Sequence, residues 1–255
     1  MAKIALITGS SAGIGEACAQ IFAQNGFNLV LAARRFDRLE KLSVQLINDY
    51  GVEVKTLEMD VQNRESVSKA WTSLPASWQQ IDVLINNAGL SQDLNPIFAG
   101  DTDDWDRMID TNIKGLLYIS RIVLPGMKDR EKGHVINIGS IAGKEVYPNG
   151  NVYCATKHAV DALNKAMRID LLPYSVKVTA LHPGAVETEF SLVRFKGDSK
   201  RAEKVYDGYE PLIAKDIADA AWYVVSRPFH VNINEMVIMP TAQANGTIFN
   251  KKNLS

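Results

Sequence analysis

The chain of 255 residues has little cysteine: two residues, Cys18 and Cys154, with no CxxC pair. That excludes a CxxC redox or metal motif and leaves small buried thiols in a reducing compartment. The four histidines, His134, His158, His182 and His230, are scattered, and none stands at a metal-like spacing from another ligand type. No protein-held metal is therefore expected. An excess of one charge is missing as well. Lysine and arginine number 28 against 29 acids, a formal net charge of −1. There is no global basic field to attract nucleic acid or an anionic membrane, so neither is expected as a partner. The apolar runs fall far short of the roughly 20 residues of a membrane span. The opening "MAKIALITGSSAGIG" lacks the long apolar region and cleavage site of a signal peptide. It reads as a strand beginning almost at residue 1, which makes a cytoplasmic protein the expectation. No repeat, low-complexity tract or Pro/Gly/Ser-rich linker divides the chain. Residues 1–255 therefore read as a single domain.

What is present is an alternation. Short β-branched or aliphatic runs lie at Ile4–Ile7, Asn28–Ala32, Glu53–Glu58, Val83–Ile85, His134–Ile138, Lys177–Leu181 and Met236–Met239. Their nearly continuous apolar character suits strands buried on both faces. Helix-like segments fall between them: Gly13–Gln24, Asp37–Tyr50, Arg64–Ser73, Trp105–Asp129 with a bend near Gly115, Val152–Leu172 and Ala214–Ser226. This alternation predicts an α/β fold, a doubly wound parallel sheet of about seven strands with helices on both faces. Residues 185–211, "AVETEFSLVRFKGDSKRAEKVYDGYEP", fit no regular element. They follow the sixth strand at the carboxyl edge of the sheet and hold Phe190, Val193 and Phe195, so they read as a substrate lid.

After the first strand comes Thr8-Gly9-Ser10-Ser11-Ala12-Gly13-Ile14-Gly15. Glycines there permit a tight turn, close approach of backbone to a pyrophosphate, and close helix–strand packing. The helix N-terminus offers unpaired N–H groups and a positive dipole end. A glycine pattern alone is a weak signal, but a strand before it and a helix after it supply the context of a dinucleotide site. At the end of the second strand an acid would accept a bond from an adenosine 2′-hydroxyl. The chain has Ala33-Arg34-Arg35 there instead. Arg34 and Arg35 suit a 2′-phosphate, so NADP(H) is the expected cofactor. The alternative, two solvated arginines, sits less comfortably at the positive end of a helix.

In "NVYCATK" Tyr153 and Lys157 are four residues apart and share a helix face. A nearby ammonium favours the phenolate and lowers a tyrosine pKa from its ordinary value of about 10. The spacing alone is a common accident. Ser140, at the end of the fifth strand, faces the crevice where strand carboxyl ends bind ligands. Its hydroxyl can bond a substrate oxygen beside Tyr153, or cap local backbone.

Taken together, these motifs resemble the short-chain dehydrogenase/reductase family. Residues 8–15 match its TGxxxGIG, Asn86-Asn87-Ala88-Gly89 its NNAG, and Pro183-Gly184 its PG motif. Asn112, Ser140, Tyr153 and Lys157 match its Asn-Ser-Tyr-Lys tetrad. The order and spacing are the family's over most of the chain. The resemblance implies a cofactor held by Gly9, Ser10, Ser11, Gly13, Ile14 and Gly15, by Asn87, Ala88 and Gly89, and by Pro183 and Gly184. It places Asp60 and Val61 beside the adenine, and the Val186 backbone and Thr188 hydroxyl on the nicotinamide carboxamide. Lys157 would hold the nicotinamide ribose, and Asn112 would anchor a water chain to Lys157. Tyr153 would then protonate a carbonyl oxygen, or deprotonate an alcohol, while Ser140 fixes that oxygen.

The stretches "LPASWQQIDVLINNAGL", "MIDTNIKGLLY", "LPGM", "GNVYCATK", "TEFSLVRFKGD" and "HVNIN" are similar to one subgroup. It comprises the NADP-dependent serine, allo-threonine and 3-hydroxy acid dehydrogenases. A small 3-hydroxy acid and its 3-oxo form are the substrates this implies. A carboxylate needs a cation, and Arg194 in the lid is the candidate beside Ser140 and Tyr153; a solvated lid arginine is the alternative. The chain departs from the subgroup at Cys154 and at Lys144, Glu145 and Val146, positions expected near the substrate. Other readings are a broad-specificity NADPH carbonyl reductase, a 3-oxoacyl-carrier-protein reductase and a non-enzymatic nucleotide sensor. The last has no need of Ser140, Tyr153 and Lys157 together. The C-terminal "HVNINEMVIMPTAQA" reads as a last strand and an apolar tail, an edge that commonly builds a tetramer in the family. A homotetramer is expected.

Overall fold

Successive side chains of a strand point to opposite faces of its sheet. A strand that is apolar throughout must therefore be covered twice. In the computed structural model, which describes residues 2–252, the strands are β1 (Ile4–Thr8), β2 (Asn28–Ala33), β3 (Val54–Glu58), β4 (Val83–Asn86), β5 (Gly133–Ile138), β6 (Val176–Pro183) and, after two short strands described below, β9 (Glu235–Ile238). They form one seven-stranded sheet in the order β3-β2-β1-β4-β5-β6-β9, with every pairing parallel. Ala5 and Ile7 of β1 face a core shared with α1 (Gly13–Gln24), α2 (Phe36–Tyr50) and α9 (Ala214–Val225). Leu6, between them, faces a second core built with α3 (Arg64–Ser73), α5 (Leu116–Asp129) and α6 (Asn151–Leu171). The chain is thus a doubly wound α/β protein. Its strand order reverses between β1 and β4, which opens a crevice at the carboxyl ends of the strands.

The expected long helix from Trp105 is continuous but not uniform. α4 (Thr102–Ile109) runs into a π-helical stretch, Asp110–Gly115, before α5 begins. Gly115, where the π-helical stretch passes into α5, lies against Val61: an added Cβ would sit 2.8 Å from Val61 Cγ2. Residues 185–211, expected to be a lid without regular structure, hold regular elements. These are β7 (Val186–Glu187), α7 (Glu189–Arg194) and α8 (Ser199–Lys204), and β7 pairs with β8 (Leu212–Ile213) in a small parallel sheet. Thr188 caps α7 through the Phe190 N–H, and Asp198 caps α8 through the Arg201 N–H. The ends of the expected 1–255 domain, residues 1 and 253–255, lie outside the described residues. Among the described residues, no helix is long and apolar enough to cross a membrane.

Candidate active site

The carboxyl ends of the central strands open into a cavity of about 350 Å³. Every residue expected to touch a cofactor lines it except Ser10 and Gly15. Those two shape the turn instead. Ser10 is buried and its hydroxyl donates to the Ala32 carbonyl at 3.4 Å. A Cβ on Gly15 would run into the Gly9 carbonyl, and Gly9 itself holds φ +66°. Asn87 supports this turn from the next strand. Its side-chain amide donates to the Thr8 and Gly9 carbonyls at 2.9 and 3.2 Å. The result is a cradle of backbone with no room for side chains. Ala12, at the start of α1, provides no side-chain cap, so the first N–H groups of the helix stay available to an anion. These residues fit the phosphates of a dinucleotide.

The two arginines after β2 have different surroundings. Arg34 lines the cavity and makes no side-chain hydrogen bond or ion pair among the described residues. Arg35 donates to the Ser11 hydroxyl at 3.2 Å and to Glu189 at 2.7 Å. Arg38, one turn on, reaches the other Glu189 oxygen at 2.7 Å. Glu189 thereby ties the start of lid helix α7 to the cofactor mouth. Sequence reasoning missed Glu189 and Arg38. The only signal was an acid in the lid, with nothing to say which arginines it would meet.

The four residues expected to form the tetrad come from three places: the turn after β5, helix α6 and the π-helical stretch. Ser140 ends the β5 strand region with an extended backbone, and its hydroxyl accepts the Ala142 N–H at 3.1 Å. Tyr153 and Lys157 project from the first turns of α6, and both are buried. Lys157 Nζ donates to the Ile138 carbonyl at 2.9 Å and lies 5.9 Å from the centre of the Tyr153 ring. Burial pulls the Lys157 pKa down to about 8. Burial also raises the Tyr153 pKa, against opposing pulls from the Arg194 charge and the Ser140 hydroxyl. Burial thus outweighs the lowering expected for Tyr153, while Lys157 is hydrogen-bonded to the Ile138 carbonyl and the Arg194 charge pulls the phenol down. Asn112 stands in the π-helical stretch, outside the cavity lining. Its amide oxygen accepts the Leu90 N–H at 2.8 Å, and its nitrogen donates to the Leu90 carbonyl and the Thr156 hydroxyl at 2.8 and 3.0 Å. It is a brace between the loop after β4 and helix α6. Gly89 fits between it and Lys157: a Cβ there would lie 3.3 Å from Asn112 Oδ1 and 3.6 Å from Lys157 Nζ.

Arg194 comes from the end of α7 and does not line the dinucleotide cavity, though its neighbour Val193 does. Its guanidinium carbon lies 5.3 Å from the Tyr153 ring centre and 5.0 Å from that of Phe190. It reaches the Tyr147 hydroxyl at 3.5 Å, and its Nε is buried without a partner. Tyr147 and Phe190 complete this corner; Tyr147 had no motif to mark it. The departures at 144–146 and 154 do not line the dinucleotide cavity, and neither does Arg194. Cys154 is buried in one cluster with Leu90, Met108 and Tyr153, against which Tyr147 and Phe190 pack, and the Arg194 charge acts on its thiol. Val146 is exposed, and Glu145 accepts the Gly246 N–H at 2.8 Å. Lys144 joins a charge cluster with Asp161, His182 and Glu235. The last three offer ligand-type atoms within 4.8 Å of one another, a grouping that sequence spacing hides. The Lys144 ammonium already holds both carboxylates, at 2.8 and 2.6 Å.

The family pattern described as short chain dehydrogenase matches residues 3–197. The chain belongs to the short-chain dehydrogenase family. Among its relatives, the NADP-dependent 3-hydroxy acid dehydrogenase YdfG of Salmonella typhi is 47% identical over 242 residues, covering 94% of this chain and 96% of that one. The NADP-dependent 3-hydroxy acid dehydrogenase of Schizosaccharomyces pombe is 40% identical over 242 residues, covering 94% and 93%. A closed form of serine dehydrogenase complexed with NADP+ superposes with a TM-score of 0.91 at 43% identity, covering 98% of this chain and 99% of that one. As a short-chain dehydrogenase, the protein is an oxidoreductase acting on CH–OH groups.

Proposed function

We propose that the protein uses NADP(H) to interconvert a small 3-hydroxy acid, of the serine, allo-threonine or 3-hydroxypropionate type, and its 3-oxo form. The observation that carries the reading is Arg194. A guanidinium with a buried, unpartnered Nε stands beside the catalytic tyrosine. A carboxylate two carbons from the reacting carbon would satisfy that nitrogen and neutralise its charge. The names of the relatives and of the serine dehydrogenase neighbour point the same way. Arg34, free beside the cavity, supports a 2′-phosphate and hence NADP(H).

When bound, the nicotinamide supplies or accepts the hydride. Ser140 orients the substrate oxygen. Tyr153 gives that oxygen a proton in reduction and removes it in oxidation. Lys157 and Thr188 orient the cofactor's ribose and carboxamide, and Asn112 holds the loop that carries Gly89 against α6. Arg194 fixes the carboxylate, so that one end of the substrate is held while the other reacts. The whole chain acts as one dinucleotide-binding and catalytic unit, with 185–211 as its lid. We place it in the cytoplasm as a homotetramer without nucleic acid or membrane partners. The exposed apolar side chains Leu117, Ile169 and Leu172, and Val237 on the edge strand, support assembly, and the near-neutral charge supports the rest.

The test is turnover with NADP+ and NAD+ against a panel of serine, allo-threonine, 3-hydroxypropionate, simple secondary alcohols and 3-hydroxyacyl thioesters. The highest kcat/KM is expected for a free 3-hydroxy acid with NADP+. Preference for simple alcohols or for thioesters would overturn the acid reading in favour of a broad carbonyl reductase or a carrier-protein reductase.

A further inference from the structure

Outside the cavity lining, a charge cluster built around a fully buried histidine touches the main chain of the catalytic serine. His182, on β6, is fully buried, and its Nδ1 faces the Ser140 carbonyl at 3.3 Å. Gly139 makes room for the ring, since a Cβ there would meet Nδ1 at 2.5 Å. A carbonyl can only accept, so Nδ1 carries the proton, and in the neutral ring Nε2 keeps its lone pair. Nε2 has no hydrogen-bond partner and points at Asp161 Oδ1 at 3.5 Å and Glu235 Oε2 at 3.9 Å. A lone pair facing two carboxylates is repulsive unless a cation stands among them. Lys144 Nζ is that cation. It holds the same two oxygens, Asp161 Oδ1 at 2.8 Å and Glu235 Oε2 at 2.6 Å. The other Asp161 oxygen takes Lys165 at 2.7 Å.

The four groups come from four places that must stay in register. Lys144 follows the turn after Ser140. Asp161 lies on α6, one turn beyond Lys157 and two beyond Tyr153. His182 comes from β6 and Glu235 from β9. We propose that Lys144 and His182 are positioning residues. Lys144 ties the segment after Ser140 to the helix that carries Tyr153 and Lys157, and His182 holds the Ser140 carbonyl within the same cluster. Ser140 and Tyr153 must converge on one substrate oxygen, and a displacement of about 1 Å at such a site costs on the order of 100-fold in rate. Losing Lys144 removes the one cation that holds Asp161 Oδ1 and Glu235 Oε2 together, leaving Asp161 with Lys165 alone. With Lys144 gone, Asp161 and Glu235 would favour a second proton on His182. In the intact protein, burial and then the Lys144 charge disfavour that proton, against opposing pulls from the Ser140 carbonyl, Asp161 and Glu235.

The proposal rests on the 3-hydroxy acid reading for its kinetic test but not for its spectroscopic one. Lys144→Met, Lys144→Arg and Glu235→Gln are compared with wild type as purified full-length enzymes, with kcat normalised to the fraction that binds NADPH. Lys144→Met is expected to lower kcat about tenfold or more while KM for the acid and Kd for NADPH stay within about twofold. Lys144→Arg should recover most of the loss, and Glu235→Gln, whose carboxylate is more exposed, should show a smaller loss. In long-range 1H–15N spectra of the cofactor-free proteins, His182 should be a neutral Nδ1–H ring in wild type and gain an Nε2 proton in Lys144→Met. An unchanged kcat in Lys144→Met would overturn the proposal, as would a loss shared with NADPH affinity or one that arginine does not rescue. If no 3-hydroxy acid is turned over by wild type, the substrate reading fails alone, and an unchanged His182 spectrum in Lys144→Met overturns the positioning role.

Discussion

At the scale of single residues, the proposed chemistry centres on Tyr153. Tyr153→Phe keeps the ring and its packing against Phe190 but removes the proton. Turnover should fall by about 10²–10⁴-fold, with NADPH binding, measured by nucleotide fluorescence, retained. Lys157 makes a prediction about stability. Its folded pKa of about 8 lies below its unfolded value. Between about pH 8 and about pH 10.4 the unfolded chain therefore binds more protons than the folded one, and stability rises with pH. Denaturant unfolding of cofactor-free protein across that window should show wild type gaining stability relative to Lys157→Met; a flat difference would contradict the burial of an ionisable amine. The tetrad was legible because four residue types recur at fixed spacings around a strand end and a helix start. Arg194 was legible only as a charge in a loop. The direction in which it points, and its place beside the Tyr153 ring, depend on how α7 lies across the sheet. No local pattern encodes that.

At the scale of elements, the strands and most helices were readable because both-face burial and 3.6-residue periodicity leave local marks. The lid was not. Its helices α7 and α8 are six residues each, too short for periodicity to show, and their Thr188 and Asp198 caps are the main local sign. The π-helical stretch also escaped, since the sequence shows only a bend at Gly115 and not the extra residue per turn. The lid is fastened by ion pairs. Glu189 meets Arg35 and Arg38, Lys196 meets Asp104, and Arg201 meets Asp93. Glu189 and its partners are exposed and screened by solvent, so the effect of breaking them is small. Glu189→Gln should speed NADPH release only a few-fold, equally for NADH, and added salt should do the same to wild type in stopped-flow displacement. Arg34→Ala should behave differently. Its loss removes a charge-assisted contact, so the NADP/NAD ratio of kcat/KM should drop about 10–100-fold.

At the scale of the whole molecule, the doubly wound order brings residues from both ends of the chain to one edge. Gly13 and Thr188 are far apart in sequence, yet a Cβ on Gly13 would sit 3.3 Å from Thr188. The charge cluster behind Ser140 unites positions 144, 161, 182 and 235, which share no spacing rule, and so it was invisible until the sheet was assembled. Assembly beyond one chain is a matter for sizing chromatography with light scattering, where a tetramer is expected and a monomer would refute it. The central claim is that Arg194 makes this site select an acid. It is tested most directly by kcat/KM of wild type and Arg194→Met, with NADP+, for a 3-hydroxy acid and its neutral methyl ester. Wild type should prefer the acid, and Arg194→Met should lose about 10–100-fold on the acid with only a few-fold change on the ester. Equal rates for acid and ester in wild type, or equal losses on both in the variant, would contradict the account.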